Sequence, residues 1–330
     1  MAARKIGEFE LISAIEALVA ARPKSRGVRV GIGDDAAVLQ TTSRSIVTTD
    51  ALVEGVHFER HWLTPAQLGA RAFRVASSDV AAMGGVARYV LLSLTIPEDM
   101  PIGDVRRCAE GLIADAEAAS TSLVGGNISY GPVFSLTLTV VGAAGARVLT
   151  RSGARPGDSI VVTGTLGDAA AGVEQLLAGG RRSKLIDAYR RPPSRLAIAG
   201  RLARGSDVTA MLDLSDGLGR DLDHLCDSSG VSARVDLDAV PVSPSLRRYA
   251  RAQGTGPLGY ATRGEDYELL IAVGNGEAGL RRVARACKTS GVAMTVIGTL
   301  GAKISGARVR DSFERPIEGG WDHLRRRPSD

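Results

Sequence analysis

The 330-residue chain has little of what most familiar catalytic motifs require. It contains three cysteines (Cys108, Cys226, Cys287) and four histidines (His57, His61, His224, His323). The cysteines show no metal-ligand spacing and no secretory signature. The histidines are too dispersed for a zinc site. His57 and His61 are four residues apart but lack the glutamate of a His-Glu-x-x-His helix. No Gly-x-x-x-x-Gly-Lys-[Ser/Thr] sequence occurs, which excludes a P-loop. The protein-kinase pair His-Arg-Asp and Asp-Phe-Gly is missing, as is a Gly-x-Ser-x-Gly elbow. Aromatic residues make up only 4% of the chain and do not interleave with the basic ones, as a single-strand nucleic-acid binder would need. The net charge of +5 comes from scattered arginines, with short runs at Arg181-Arg182, Arg281-Arg282 and Arg325-Arg326-Arg327. Solvated helix faces and a basic tail explain it, and no nucleic-acid partner is expected. No apolar run is long enough to cross a bilayer and no basic-then-apolar leader opens the chain, so neither a membrane nor a secretory role is expected. A reducing cytoplasm is the expected compartment.

What the chain does have is acid among small residues. Gly33-Asp34-Asp35-Ala36, Thr48-Thr49-Asp50, Ser77-Ser78-Asp79 and Asp213-Leu214-Ser215-Asp216-Gly217 each set carboxylates beside Gly, Ala, Ser or Thr and next to an apolar stretch. Surface acids usually lie among Lys and Glu on a helix face. Acids at strand ends are costly unless something cationic satisfies them. Dispersed acids with little His or Cys suggest hard divalent cations bound through oxygen, and such cations among Gly-rich turns suggest phosphate chemistry. Gly31-Ile32-Gly33-Asp34-Asp35-Ala36 also resembles a dinucleotide fingerprint. Its two carboxylates would repel a pyrophosphate unless a metal bridged them, and the segment by itself reads more readily as an acidic turn.

Length allows two domains, and forty glycines with few aromatics fit an α/β or α+β protein with mixed sheets. The pattern predicts a helix over 7–22, short strands over 28–38 and 44–49 around acidic turns, and a helix from Pro65 that Gly84-Gly85 stops. A strand over 89–96, a helix over 102–119 and a strand over 122–124 follow, then a turn at Gly125-Gly126-Asn127 and a strand over 133–141. The turn-rich run from Arg151 to Asp158 marks a domain junction. Beyond it strands over 159–163 and 208–212 and helices over 167–177, 195–203 and 218–227 alternate. Gly125-Gly126-Asn127 reads either as a plain turn or as a phosphate approach with a neutral oxygen for a metal. Gly264-Glu265-Asp266-Tyr267-Glu268 reads as a polar strand entry or as a substrate-orienting carboxylate. Trp321, flanked by two glycines, is a poor core residue and a plausible ligand cap.

Taken in order, these segments resemble the thiamine-monophosphate kinase family. The matching residues run from Gly7-Glu8-Phe9 and Ile32-Gly33-Asp34-Asp35 through Thr48-Thr49-Asp50, Glu54-Gly55-Val56-His57-Phe58, Ser78-Asp79, Gly125-Gly126-Asn127 and Thr150-Arg151-Ser152-Gly153. They end with Asp213-Leu214-Ser215-Asp216-Gly217-Leu218 and Gly264-Glu265-Asp266-Tyr267. Nearly the whole chain is covered, and the specificity lies in the ordered set. The resemblance implies a two-domain fold like that of aminoimidazole ribonucleotide synthetase. Residues 1–145 would form an α/β domain that binds ATP and Mg²⁺ and pairs into a barrel across a homodimer, and residues 146–330 would form an α/β domain completing the nucleotide and substrate cleft. It implies ATP-dependent phosphorylation of thiamine phosphate to thiamine diphosphate, with Mg²⁺. Asp35, Thr48, Thr49, Asp50, Asp79, Asn127, Asp213 and Asp216 would hold magnesium, with Asp50, Asp79 and Asp213 catalytic. Gly126, Asn127, Arg151 and Ser215 would contact ATP, and His57, Glu265 and Trp321 the thiamine phosphate. Asn127 stands where many members carry Asp, Arg263 where the family has Gly, and Ala109 near where some relatives present an aromatic to the nucleotide.

That chemistry accounts for the acids. A triphosphate and a monophosphate brought together repel by about 4 kcal/mol per charge pair at 4 Å even with substantial screening. The nucleophile is a phosphate oxygen, already ionised at neutral pH because its second pKa is about 6. No general base is needed, and direct in-line transfer without a phosphoenzyme is expected.

Overall fold

The computed structural model describes residues 8–22, 27–30, 38–41, 44–145, 147–317 and 319–320. The chain divides into two compact units. One comprises Met1–Ala81 and Gly85–Gly145, the other Ala82–Gly84 and Ala146–Asp330.

The first unit opens with α1 (Glu8–Ala20), then a two-stranded antiparallel pair, β1 (Val28–Val30) and β2 (Val38–Leu39). Its main sheet contains β3 (Ser45–Val53), β4 (Val86–Ile96), β5 (Ser122–Tyr130) and β6 (Ser135–Ala143) in the order β3-β6-β4-β5. Only β4 and β5 run parallel, joined by the crossover helix α3 (Ile102–Ala118). Along β6, buried Leu136, Leu138 and Val140 alternate with half-buried Thr137, Thr139 and Val141, the period of a sheet covered on one face. The cover is α2 (Pro65–Ala82), which buries Leu68, Ala72, Phe73, Ala76 and Val80, together with α3. These two helices cross closely at glycines. A Cβ on Gly69 would run into the Cys108 carbonyl, and one on Gly111 into that of Ala66. The Arg74–Asp115 ion pair ties the same helices.

The second unit is built on a six-stranded mixed sheet of order β12-β9-β11-β7-β10-β8. Its strands are β7 (Ser159–Thr163), β8 (Val208–Asp213), β9 (Val231–Val235), β10 (Leu269–Val273), β11 (Met294–Ala302) and β12 (Val309–Asp311). The pairings are antiparallel except for β12 with β9. Its helices are α4 (Asp168–Leu177), α5 (Lys184–Arg190), α6 (Leu196–Leu202), α7 (Leu218–Ser229), α8 (Pro244–Ala252), α9 (Leu258–Ala261) and α10 (Gly276–Thr289). Both faces of this sheet are covered. Ala210, Leu212, Leu270 and Ala272 pack with Leu218, Leu222 and Leu225 of α7. Met211, Leu269, Ile271 and Val273 pack with Ile198 and Leu202 of α6 and Val283 of α10. Strand β10, paired between β7 and β8, is therefore apolar at every position, as Leu269-Leu270-Ile271-Ala272-Val273 reads. Helices α4, α5, α8 and α9 form a smaller cluster through Ala171, Leu185, Leu246 and Tyr260.

The mixed α/β class is observed, but two local expectations change. The expected turn at Gly125-Gly126-Asn127 is instead the middle of β5, in register with Leu91, Leu92 and Ser93 of β4. The glycine there answers a close approach, since a Cβ on Gly126 would run into the Leu92 carbonyl. Strand β3 also extends to Val53, so Asp50 lies within a strand and not at its end.

Candidate functional site

In the first unit the acidic residues arise from β3 and α2. Alternation along β3 puts Thr48 and Asp50 on the face of buried Ile46 and Leu52, beneath α2, and Thr49 on the open face with Val47 and Ala51. The Thr48 hydroxyl donates to the Asp79 carboxylate of α2 at 2.5 Å. Thr48, Asp50 and Asp79 thus belong to one side of the sheet. The Thr49 hydroxyl lies 3.2 Å from that of Thr139 on the other. Asn127 is exposed on β5, in register with Ser93. Asp35 and Trp321, both singled out in the sequence, lie outside the described residues.

His57 follows β3 in a tight turn. Its backbone N–H donates to the Val53 carbonyl at 2.9 Å, and its Nδ1 accepts the Val53 N–H at 3.1 Å. With Nδ1 accepting, the neutral imidazole carries its proton on Nε2, which makes that edge a donor. The turn is braced by Glu54, which receives Arg60 at 2.6 Å and the Phe134 N–H at 3.2 Å. Ala109, on α3, is 1% exposed and belongs to the core of this unit.

In the second unit the site segment is the turn between β8 and α7. Buried Asp213 closes the strand. Asp221, in the first turns of α7, accepts the N–H groups of Asp216 and Gly217 at 3.0 and 2.9 Å. Burial pushes the Asp221 carboxyl up to about 8, and the nearby Asp213 and Asp216 charges push the same way against those two hydrogen bonds. Arg220 approaches Asp216 at 3.5 Å. Asp221 is a residue that sequence reading missed. Its only signal was an acid one helical turn past a glycine, indistinguishable from a solvated helix position.

The Gly264–Glu268 segment runs alongside this turn. Glu265 N–H donates to the Ser215 carbonyl, Tyr267 N–H to that of Leu214, and Leu214 N–H to that of Glu268, each at 2.8 Å. Two segments far apart in sequence, Asp213–Gly217 and Gly264–Glu268, are thereby joined, and Ser215 meets Glu265. Gly264 has φ +87° and Glu265 φ +72°. A Cβ on Gly264 would run into the Ser215 carbonyl, so the glycine is required there. The three acids of the segment have separate tasks. Half-buried Glu265 sits at the turn. Buried Asp266 accepts the Gly167 N–H with both oxygens, at 2.8 and 3.0 Å, and burial raises its carboxyl well above the ordinary value. Buried Glu268 accepts the Thr163 hydroxyl at 2.5 Å and the Arg195 guanidinium at 2.5 and 2.6 Å. Arg263 does not have a left-handed backbone, so its replacement of the family's glycine needs no strained geometry.

Arg151 is exposed, and its carbonyl accepts the Ser229 hydroxyl at 2.9 Å. The preceding residue, Thr150, accepts the Met211 N–H, which lays this stretch beside β8. Among the described residues no group of three His, Cys, Asp or Glu side chains converges on a metal-ready point. The donor types, carboxylates and hydroxyls in both units and the Asn127 amide in the first, are nonetheless oxygen ligands, the chemistry of Mg²⁺ or Ca²⁺ and not of zinc or iron.

The chain matches two family models, the AIR synthase related protein N-terminal domain over residues 33–144 and its C-terminal domain over 155–309. It is 38% identical over 328 residues to the thiamine-monophosphate kinase of Salmonella typhimurium strain LT2, covering 96% of this chain and 98% of that protein. Among solved structures it is similar to thiamine-monophosphate kinase from Stenotrophomonas maltophilia K279a, with TM-score 0.81, 32% identity and coverage of 94% and 98%. It is also similar to AaThiL complexed with AMPPCP and TMP, with TM-score 0.76, 33% identity and coverage of 98% and 99%.

Proposed function

The chain belongs to the AIR synthase related family and, within it, to the thiamine-monophosphate kinases, and on that premise we propose that it transfers the γ-phosphoryl group of ATP to thiamine phosphate, yielding thiamine diphosphate and ADP. The observation that carries the reading is a full-length match, at 33% identity, to a structure holding an ATP analogue together with TMP. The acids support it in both units, Asp50 and Asp79 with the Thr48 hydroxyl on one side of the β3 sheet and Asp213, Asp216 and Asp221 around the β8–α7 turn.

In this reading Asp35, Thr48, Thr49, Asp50, Asp79, Asn127, Asp213 and Asp216 hold magnesium. Thr49 contributes through its backbone if it acts with Thr48 and Asp50, because its side chain occupies the opposite face. Magnesium, when bound, supplies charge neutralisation for the triphosphate and the acceptor phosphate. Asp50, Asp79 and Asp213 fix that charge in place. Gly126, Asn127, Arg151 and Ser215 contact ATP. Gly126 suits that role because it is exposed on β5. His57 offers its Nε2 proton to the acceptor phosphate, and Glu265 attracts the cationic thiazolium. The acceptor oxygen is ionised at neutral pH, so these residues bind and orient and no proton need be abstracted. Transfer is direct and in line, without a phosphoenzyme.

The open face of the first unit's sheet, with Val47 64% exposed, supports pairing of this unit across a homodimer barrel. The cytoplasm is the proposed compartment of this biosynthetic enzyme, and no described helix is long and apolar enough to cross a membrane.

The test is thiamine diphosphate formation by purified protein with ATP, Mg²⁺ and thiamine phosphate, followed by chromatography. Product that requires both substrates is expected. ADP release without thiamine diphosphate would sink the reading in favour of another ATP-dependent reaction on this fold.

A further inference from the structure

Arg263 precedes the left-handed pair Gly264–Glu265 and is anchored elsewhere. Its Nη1 donates to Glu174 Oε2 of α4 at 2.7 Å, and its guanidinium lies 4.5 Å from the centroid of the Tyr260 ring on α9. Glu174 Oε1 accepts two further bonds, from the Tyr249 hydroxyl of α8 at 2.9 Å and the Tyr260 hydroxyl at 2.8 Å. Burial opposes ionisation of Glu174, but the bonds from Tyr260, Arg263 and Tyr249 outweigh it and hold the carboxyl below its ordinary range. An isolated exposed ion pair contributes little to stability. This one is part of a network of one carboxylate, two phenols, a guanidinium and a cation–π stack drawn from three helices.

The network grips the chain one residue before a conformation that needs gripping. L-residues enter the left-handed region only under constraint. Glu265 is held there by its own N–H bond to Ser215 and, on its N-terminal side, by whatever fixes residues 263 and 264. The geometry points to Arg263 as a positioning residue: through Glu174 and Tyr260 it holds the Gly264–Glu265 turn against Ser215 and so presents Glu265 to the cationic ring of the acceptor substrate. This rests on the proposed function for the identity of the acceptor. Arg263, Glu174, Tyr249 and Tyr260 are none of the residues assigned to nucleotide or metal, and Ser215 meets the turn through its backbone carbonyl, so the effect falls mainly on the acceptor side.

The experiment compares wild type, Arg263→Gln, Glu174→Gln and Arg263→Lys, with Arg281→Gln as a control, because Arg281 pairs with Glu277 on the surface of α10. Two readouts are taken on the full chain. Amide hydrogen exchange needs no substrate, and in Arg263→Gln and Glu174→Gln the Glu265 and Tyr267 amides are expected to lose protection by about tenfold while those of β10 do not move. Kinetics are expected to show KM for thiamine phosphate rising about fivefold with KM for ATP and kcat within a factor of about two. Arg263→Lys restores most of both, since the ion pair survives, and the control changes neither. Unchanged exchange at Glu265 would overturn the clamp. Exchange that accelerates while both KM values move together, or neither moves, would overturn its link to the acceptor. A wild type that does not turn over thiamine phosphate would sink the functional reading instead, and the exchange data would still decide the clamp.

Discussion

The hydroxyl of Thr48 on β3 donates to the carboxylate of Asp79 on α2 at 2.5 Å, so the strand and helix that carry the first unit's acids are joined through those residues. Removing an orienting partner of a metal-binding carboxylate typically costs about 10- to 100-fold in metal affinity. Thr48→Ala is expected to raise the Mg²⁺ concentration for half-maximal activity by roughly tenfold with kcat largely kept at saturating Mg²⁺. Asp79→Asn should lower kcat at every Mg²⁺ concentration. A Thr48→Ala enzyme with an unchanged Mg²⁺ titration would show that the bond is structural only.

Arg195, just before α6, and buried Glu268, just before β10, form an ion pair with two bonds, at 2.5 and 2.6 Å. Arg195→Met strands a buried carboxylate and is expected to cost about 3–5 kcal/mol in urea unfolding. Arg195→Met with Glu268→Leu should recover part of that loss, because removing both charges also removes the desolvation cost. A double variant no better than the single would indicate that the Thr163 bond to Glu268 dominates.

Asp207, buried at the start of β8, accepts from Arg282 of α10 at 2.6 and 2.7 Å and from Asn275 at 2.9 Å. Its carboxyl is lowered to about 2, by the Arg282 bonds first, with burial opposing and Asn275 and Arg147 assisting. A carboxyl lowered on folding contributes stability that is present above its unfolded pKa and lost as pH falls through the folded one. From the ordinary 3.8 to about 2 this amounts to about 2 kcal/mol at neutral pH. The stability gap between wild type and Asp207→Asn should therefore hold from pH 7 down to about 4 and narrow below it. A gap that stays constant down to pH 3 would remove the linkage.

Gly125 and Gly126 are neighbours with opposite tolerance. A Cβ on Gly126 runs into the Leu92 carbonyl, whereas one on Gly125 meets Leu91 Cδ2 at an ordinary 3.7 Å. Gly126→Ala should cost about 1–3 kcal/mol and weaken ATP binding, and Gly125→Ala should change stability by less than about 1 kcal/mol. Thermal unfolding of the two variants side by side decides it.

Much of the architecture was legible in the residues. Leu269-Leu270-Ile271-Ala272-Val273 announces a strand buried on both faces, and Gly84-Gly85 the end of a helix. The Gly125-Gly126-Asn127 segment looks like a turn in sequence because glycine marks both turns and close backbone approaches, and the neighbour that makes the approach, β4, lies some thirty residues earlier in the chain. The acids Asp213, Asp216, Glu265, Asp266 and Glu268 were visible as a class. That Glu268 is an ion-paired core group and Asp266 a cap for Gly167 was not, since their partners Arg195 and Gly167 come from remote segments.

Family, fold class and the inventory of acids follow from the sequence by itself, because motif order, apolar periodicity and glycine spacing are properties of short stretches of chain. Which face of β3 each of Thr48, Thr49 and Asp50 occupies, how Asp221 comes to lie against Asp213 and Asp216, and what restrains Arg263 were decided only by the tertiary structure. A side chain's charge state and freedom depend on the groups packed against it, and in this protein those groups come from strands and helices tens of residues away.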